Sequence, residues 1–361
     1  MGSELNQESI ESFFDKREST SRIECDEVAR NIIGNGCIAQ AAGIQGASSY
    51  TVECMTKSIL SFRQRGSILD SRVINLAKDI HGRLIPDVSY CGNVGEGAEG
   101  LIVYRMSYLP GAPVYELYPK INEAKLEDKH KISKFYKDLA GYFARCWWKP
   151  LSDVANWNAM SLMKDDDFRI DESEVRRRLD LLKSSKLFPS VDVVVARIED
   201  SLPALFGRTR EWPKVLTHGN LSDRHILLDS NTFAITGILG WTRSTIGVFG
   251  LDLAILNNLR TFRGDGDSIT GHACWREMED LFWDEFWSLA GIKEDKRANT
   301  RYLAETAAEL AFLFQYSFQS LPRGDMKDDL ATENGGMLEV NFGLKSKILR
   351  VQLALADVRL S

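Results

Sequence analysis

The sequence predicts an α+β chain of two unequal lobes: a small N-terminal lobe of antiparallel strands with one helix, and a larger, mainly helical C-terminal lobe. Three observations predict it. Up to residue 110 the apolar residues come in short, β-branched, Gly-punctuated runs; beyond it they recur at helical spacing over long stretches; the Pro110-Gly111 turn signal separates the two textures. With 361 residues, 44% hydrophobic and 27% charged, the chain can bury a full core over two lobes. The boundaries read as a polar, helical extension over 1–35, the small lobe over 36–110 and the large lobe over 111–361.

In the small lobe, 49–53 and 58–63 read as a strand pair turned at Met55–Lys57. Asp70, a good N-cap, opens a helix that carries Val73, Leu76, Ala77 and Ile80 on one stripe. After Pro86 come two strands, 88–90 and 101–106. In the large lobe, Ile132, Phe135, Leu139, Phe143 and Trp147 mark a helix stopped by Pro150. A charged helix follows over 175–183. Two later stripes, Leu303–Phe318 and Leu344–Leu355, read as core faces of further helices. One segment differs: 226–228 is a short apolar strand, 229–231 a turn and 233–239 a second strand.

Composition limits function. The formal net charge of −6, from 45 Lys and Arg against 51 Asp and Glu, argues against a nucleic-acid surface, which needs a basic excess. No apolar run approaches the roughly 18 residues of a spanning helix, so no membrane partner is expected. The first 24 residues are polar and acidic with no apolar signal region. Cys25, Cys37, Cys54, Cys91, Cys146 and Cys274 are scattered without C-x-x-C spacing and read as reduced core residues of a cytoplasmic protein. No repeat appears at periods of about 20–50 residues. A small-molecule substrate is the partner these limits leave, and the sequence does not fix the oligomeric state.

The segment 215–253, VLTHGNLSDRHILLDSNTFAITGILGWTRSTIGVFGLDL, carries the functional reading. It resembles the catalytic region of the aminoglycoside and choline phosphotransferases, the small-molecule branch of the protein-kinase fold, whose pattern is H-G-D-L-x-x-x-N-I-L, a hairpin, I-D-W and then G-x-D-L. This chain has His218-Gly219-Asn220-Leu221, His225-Ile226-Leu227, Leu239-Gly240-Trp241 and Gly250-Leu251-Asp252-Leu253. The stretch 103–114, VYRMSYLPGAPV, looks like the family's interlobe strand and hinge; Tyr108 lies within it. Residues 59–92 look like the third strand, the helix after it and the fourth strand. Residues 281–287 are similar to the fungal-type branch, and the resemblance spans about 40–355. It implies a protein-kinase-like, two-lobed fold.

The departures from the pattern set the expected chemistry. Phosphoryl transfer needs a carboxylate to take the acceptor's proton and side chains to hold Mg²⁺. The resemblance puts those roles on the Asp of H-G-D, the Asn five residues on and the Asp of I-D-W; here these positions hold Asn220, His225 and Gly240. An amide takes no proton near neutral pH, and Mg²⁺ prefers hard oxygen ligands to an imidazole. Arg63 stands near the place of the phosphate-pairing lysine, with a different geometry. The expectation is a repurposed enzyme that has lost phosphotransfer, with no metal and no cofactor. Asn220, His225 and Asp223 are its candidate catalytic side chains; Arg63, Gly240, Trp241 and Tyr108 are the candidates to line the substrate site. Removing carboxylates and opening space at Gly240 favours an apolar small molecule. Donors that polarise a carbonyl favour cyclisation or cycloaddition in a natural-product pathway. Two alternatives stand beside it: a catalytically dead pseudokinase that acts as a binding or scaffold protein, and an active phosphotransferase with rearranged ligands, beginning with Asp223.

Other motifs carry less. Gly95–Gly100 matches G-x-G-x-x-G, but a strand follows directly and glutamates lie inside it, so it reads as a hairpin turn. A nucleotide-covering loop fits better at 42–48. His272, Cys274 and Glu277 read as a solvated helix start rather than metal ligands. His81 and His130 read as surface helix residues and His218 as a shaper of its loop. Trp212 and Trp241 either floor an apolar pocket or belong to the core. Asp229 reads as a turn residue, and Asp252 as a helix cap or holder of the loop backbone.

Overall fold

A computed structural model of the chain describes residues 2–317, apart from 16–19, 35–37, 44, 55–56, 98–99, 123–128, 152–156, 166–168, 186–190, 208–211, 264–268 and 272–273. The helix expected at 344–355, together with Cys37, His272 and Phe318, lies outside the described residues.

Two helices lead, α1 (Gly2–Phe14) and α2 (Arg22–Ile33), and Ser21 closes a capping box with Glu24 at the start of α2. Five strands follow: β1 (Ala39–Ala41), β2 (Ser49–Cys54), β3 (Ser58–Arg63), β4 (Val88–Val94) and β5 (Leu101–Ser107). They form one antiparallel sheet in the order β1-β2-β3-β5-β4. Alternation buries Tyr50, Val52, Leu60, Phe62, Leu101 and Val103 against Ile10, Phe13, Cys25 and Ala29 of α1 and α2. The Tyr50 hydroxyl donates to Asp26 at 2.8 Å and ties α2 to β2.

Between β3 and β4 runs α3 (Ser71–His81), capped by Asp70, whose carboxylate accepts from Arg72 N. Its stripe of Val73, Ile74, Leu76, Ala77 and Ile80 joins the core of the large lobe rather than that of the sheet. Arg72 locks this arrangement by bridging Asp70 and Asp165.

The large lobe opens with β6 (Ala112–Pro113), α4 (Val114–Asn122) and α5 (Lys129–Trp148). After α6 (Trp157–Met163), α7 (Glu172–Ser185) and α8 (Val191–Phe206) come β7 (Lys214–Thr217), β8 (Ile226–Leu228), β9 (Ile235–Ile238) and β10 (Thr245–Val248). The chain continues through α9 (Ala254–Arg260), a small hairpin of β11 (Thr261–Arg263) and β12 (Ile269–Gly271), α10 (Trp275–Ala290) and α11 (Glu294–Ser317). An aromatic cluster joins α5 to α10: Phe143 meets Phe282 edge-on at 5.9 Å, and Phe286 stacks on Phe249 at 5.6 Å. Glu279 of α10, 4% exposed, takes both guanidinium arms of Arg260 and links α10 to α9. Among the described residues, no helix is long and apolar enough to cross a membrane.

The strand pair, the capped helix and the α5 stripe form as the sequence predicts. Gly95–Gly97 lies in the turn between β4 and β5, as expected of a hairpin connection. Several details differ. The second strand of the hairpin starts at Ile235 rather than residue 233, because Phe233 has φ +56° and its N–H closes the turn onto Asp229 O. β10, which pairs with β7, escapes sequence reading because its run Thr245–Val248 contains a glycine and only two apolar residues flank it. His81 is not at the surface: it is 4% exposed and stacks on Tyr142 at 4.1 Å, with Cys146 Sγ 3.7 Å from Nε2. The last turn of α3 faces α5, and an imidazole is apolar enough on its faces to fill that seam. Cys25, Cys54 and Cys146 are buried thiols as expected, whereas Cys91 and Cys274 are only half-buried.

Candidate functional site

The candidate site is built on two loops and held from beneath by one carboxylate. The loop 218–225 leaves β7 and enters β8; the loop 239–244 leaves β9 and enters β10. Asp252 sits under both, its two oxygens accepting His218 N at 2.5 Å and Gly219 N at 3.1 Å. Burial pushes this carboxyl up to about 6, while the two N–H bonds pull it down. Gly219 is required: with φ +73°, a Cβ would lie 2.1 Å from Arg243 O, so the two loops touch backbone to backbone.

His218 is fully buried and shapes its own loop, as the sequence predicts. Nε2 bonds Leu239 O at 2.6 Å and Nδ1 accepts from Asn220 N at 3.3 Å, so the ring carries its proton on Nε2. Burial holds it neutral, down at about 3. His225 closes the loop: its N–H donates to Ser222 O at 3.0 Å, its carbonyl accepts from Leu239 N at 2.8 Å, and Nδ1 lies 3.0 Å from Ser222 Oγ. Desolvation lowers the His225 pKa, against a hydrogen bond to the Asn220 backbone and the nearby charge of Asp223.

The imidazole of His225 lies directly over Gly240. Gly240 has φ +86°, and a Cβ placed there would sit 2.5 Å from His225 Cδ2 and 2.8 Å from Nε2. The space that the sequence reading left open at Gly240 is therefore filled by His225.

Arg63 reaches this region from β3. Its Nε donates to Ser67 O at 2.7 Å, and Nη2 donates to Ser67 Oγ at 2.9 Å and to Thr242 Oγ1 at 3.4 Å. These partners are neutral, and desolvation brings the guanidinium down to about 10. Arg243 is also partly desolvated, which lowers its pKa. Arg224 stacks on the Tyr115 ring at 5.2 Å, and Tyr115 N donates to Asp223 O. The site thus gathers three guanidinium groups, two imidazoles and two carboxylates, Asp223 beside His225 and Asp252 beneath the loops.

Sequence reasoning brought Asn220, Asp223, His225, Gly240 and Arg63 to one place, and the structure puts them on these adjoining loops and on β3. It does not bring Trp241 there. That indole is 3% exposed, donates to Ile238 O at 3.1 Å and packs on His218 at 4.9 Å, so it belongs to the core. Trp212 is core as well, with Nε1 donating to Phe249 O. Tyr108 is half-buried on the connection from β5 to β6, its N–H donating to Lys57 O at 3.3 Å. That connection is seated on the β8–β9 hairpin through the pairing of Ala112 with Leu228. Ser222 is the site residue the sequence reading passed over, because one serine in a polar loop has no spacing that marks it.

The loop 42–48 joins β1 to β2, so it is the first hairpin of the sheet. Gln45 ties it down: Nε2 donates to Ala42 O and Thr51 O, and Oε1 accepts from Thr51 N at 2.9 Å.

As a magnesium site, the three motif positions present an amide, an imidazole and no side chain. Among the described residues, no three His, Cys, Asp or Glu side chains gather to hold an ion. This donor set does not fit Mg²⁺, which needs several hard oxygens in near-octahedral array.

A family model described as "Phosphotransferase enzyme family" matches residues 61–276. No curated protein matches the sequence. Among solved structures, the chain is similar to wild-type aminoglycoside 2'-phosphotransferase-IIIa in its GDP complex, with 13% identity, 98% of each chain covered and a TM-score of 0.52. It is also similar to a Ralstonia eutropha protein assigned as an aminoglycoside phosphotransferase, with 11% identity, 91% of this chain and 96% of that chain covered, and a TM-score of 0.55. At these identities the likeness establishes the kinase-like fold.

Proposed function

Because the chain belongs to the phosphotransferase enzyme family, we propose that it is a member whose cleft no longer performs Mg²⁺-dependent phosphoryl transfer and instead holds a carbonyl-bearing small molecule for metal-independent chemistry. One observation carries the reading: the His225 ring occupies the place where a side chain at Gly240 would stand. A side chain at 240 would require that ring to move. The two departures from the family pattern are thus one coupled change, with an imidazole replacing both metal-facing groups.

What the site offers is donors. The Asn220 side-chain amide forms no hydrogen bond within the described residues, and Arg63 and Arg243 are partly desolvated cations. Such groups stabilise negative charge developing on a carbonyl oxygen, and they do so more strongly in a desolvated site than in water. The expectation of an apolar ligand rested on the missing carboxylates and on open space at Gly240, and that of a cyclisation on donors that polarise a carbonyl; with His225 filling the space, polarisation of a carbonyl is the part the geometry supports. A natural-product pathway remains the setting we propose.

Incubation with Mg·ATP and hydroxylated acceptors tests this, with ADP release as the readout. No turnover above background is expected. Steady ADP formation that depends on acceptor would overturn the reading and direct attention to Asp223 as a metal or base carboxylate.

A further inference from the structure

The site contains a hydroxyl and an imidazole in the arrangement of a nucleophile and its base. Ser222 Oγ lies 3.0 Å from His225 Nδ1, within the range in which a base takes a hydroxyl proton. Ser222 Oγ also accepts Arg224 N–H at 3.4 Å, and its own proton can go to the imidazole in the tautomer that leaves Nδ1 unprotonated. Nothing in the metal-free reading uses Ser222.

From this geometry we propose that Ser222 is an acyl-accepting nucleophile with His225 as its base, acting on an ester of a small molecule bound over the 218–243 loops. The inference rests on the reading of the cleft as metal-free and names the carbonyl chemistry it performs. Ser222 Oγ attacks the ester carbonyl carbon while its proton moves to Nδ1. The carbonyl oxygen takes the negative charge. As the tetrahedral species collapses, the ester C–O bond breaks and the departing alkoxide takes the proton from Nδ1. Water then attacks the acyl-serine, passes a proton to Nδ1, and Ser222 Oγ leaves and recovers that proton. The products are an acid and an alcohol, and the pair returns to its starting state.

Three further features suit this role. Burial keeps the His225 ring neutral at pH 7, so its lone pair is available. The Asp223 carboxylate, whose charge favours the protonated ring, stabilises the imidazolium formed during attack. The Asn220 amide, which forms no hydrogen bond within the described residues, and the Arg243 guanidinium, whose charge reaches His225, are the donors assigned to the oxyanion.

The test is exposure of the full chain to a fluorophosphonate probe, with mass spectrometry to locate the adduct, alongside p-nitrophenyl acetate hydrolysis. The expected result is a single adduct on Ser222 and a burst of p-nitrophenol equal to the protein present. Ser222→Ala should abolish both, and His225→Asn should slow labelling at least about 100-fold. Ser222→Cys, which keeps a nucleophile of similar size, should instead be alkylated by iodoacetamide faster in the presence of His225 than in the His225→Asn background. Absence of an adduct on Ser222, or an equal rate in His225→Asn, overturns the pair. Acceptor-dependent ADP release in the parallel assay overturns the metal-free reading itself, so the two failures are distinct.

Discussion

A methyl group added at Gly240 would strike the His225 ring, and that contact makes a residue-scale prediction about coupling. Gly240→Asp alone forces a side chain onto a residue at φ +86° and into the imidazole, so it should destabilise the fold by about 2–4 kcal/mol. His225→Asn removes the clashing ring but leaves the backbone strain. The double variant should therefore be less unstable than the sum of the singles by about 1–2 kcal/mol, measured by urea unfolding. Strict additivity would mean that the two positions do not share the same space. On the resemblance read from the sequence, both positions are expected to depart from the family pattern. The sequence did not reveal that one departure fills the room left by the other, because residues 225 and 240 meet only across the β8–β9 hairpin.

At the scale of elements, the stripe of α5 was legible as a core face, whereas the aromatic run of α10 reads only as a likeness to the fungal-type branch. Their partnership was not legible, since it joins helices more than a hundred residues apart, through Phe143 on Phe282 and Trp147 on Phe286, with Phe249 from after β10 completing the cluster. Phe286 is fully buried and stacks between Phe249 at 5.6 Å and Phe282 at 6.3 Å. Phe286→Ala should cost about 3–5 kcal/mol in thermal or urea unfolding, the range for truncating a buried aromatic that leaves a cavity. A cost below about 1 kcal/mol would show that the α5–α10 seam collapses to fill the gap. The same scale explains His81. On helical spacing alone it falls at the edge of the α3 stripe, and only the approach of Tyr142 and Cys146 from α5 buries it.

Across the whole molecule, buried titrating groups fix how stability responds to acid. His81, His218 and His225 are all held below the ordinary value of 6.5 by burial, so the unfolded chain takes up their protons first. Asp252 and Glu309 are raised by burial, so the folded chain takes up those protons first. Three imidazoles that take up protons on unfolding outnumber the two carboxyls that release them, so unfolding in mild acid takes up protons on balance. Stability should therefore fall as pH drops below about 6.5. Urea unfolding at pH 7 and pH 5 checks the sign, and greater stability at pH 5 would contradict it. The molecule also has two cores. One lies between the sheet and α1 and α2; the other fills the large lobe and takes in α3.

The sequence by itself determined the fold class, the lobe order, the family, the capped α3 and the turn at Asp229, because each rests on local periodicity, capping or a contiguous motif. It also named most of the residues of the candidate site, since His218, Asn220, Asp223 and His225 lie within one loop. Only the tertiary structure decided which of those residues face one another. The imidazole over Gly240, the Asp252 carboxylate beneath two backbone N–H groups and the removal of Trp241 into the core all depend on chain segments brought together by packing. Contacts of that kind are set by shape and burial among distant residues, which leave no periodic trace along the chain.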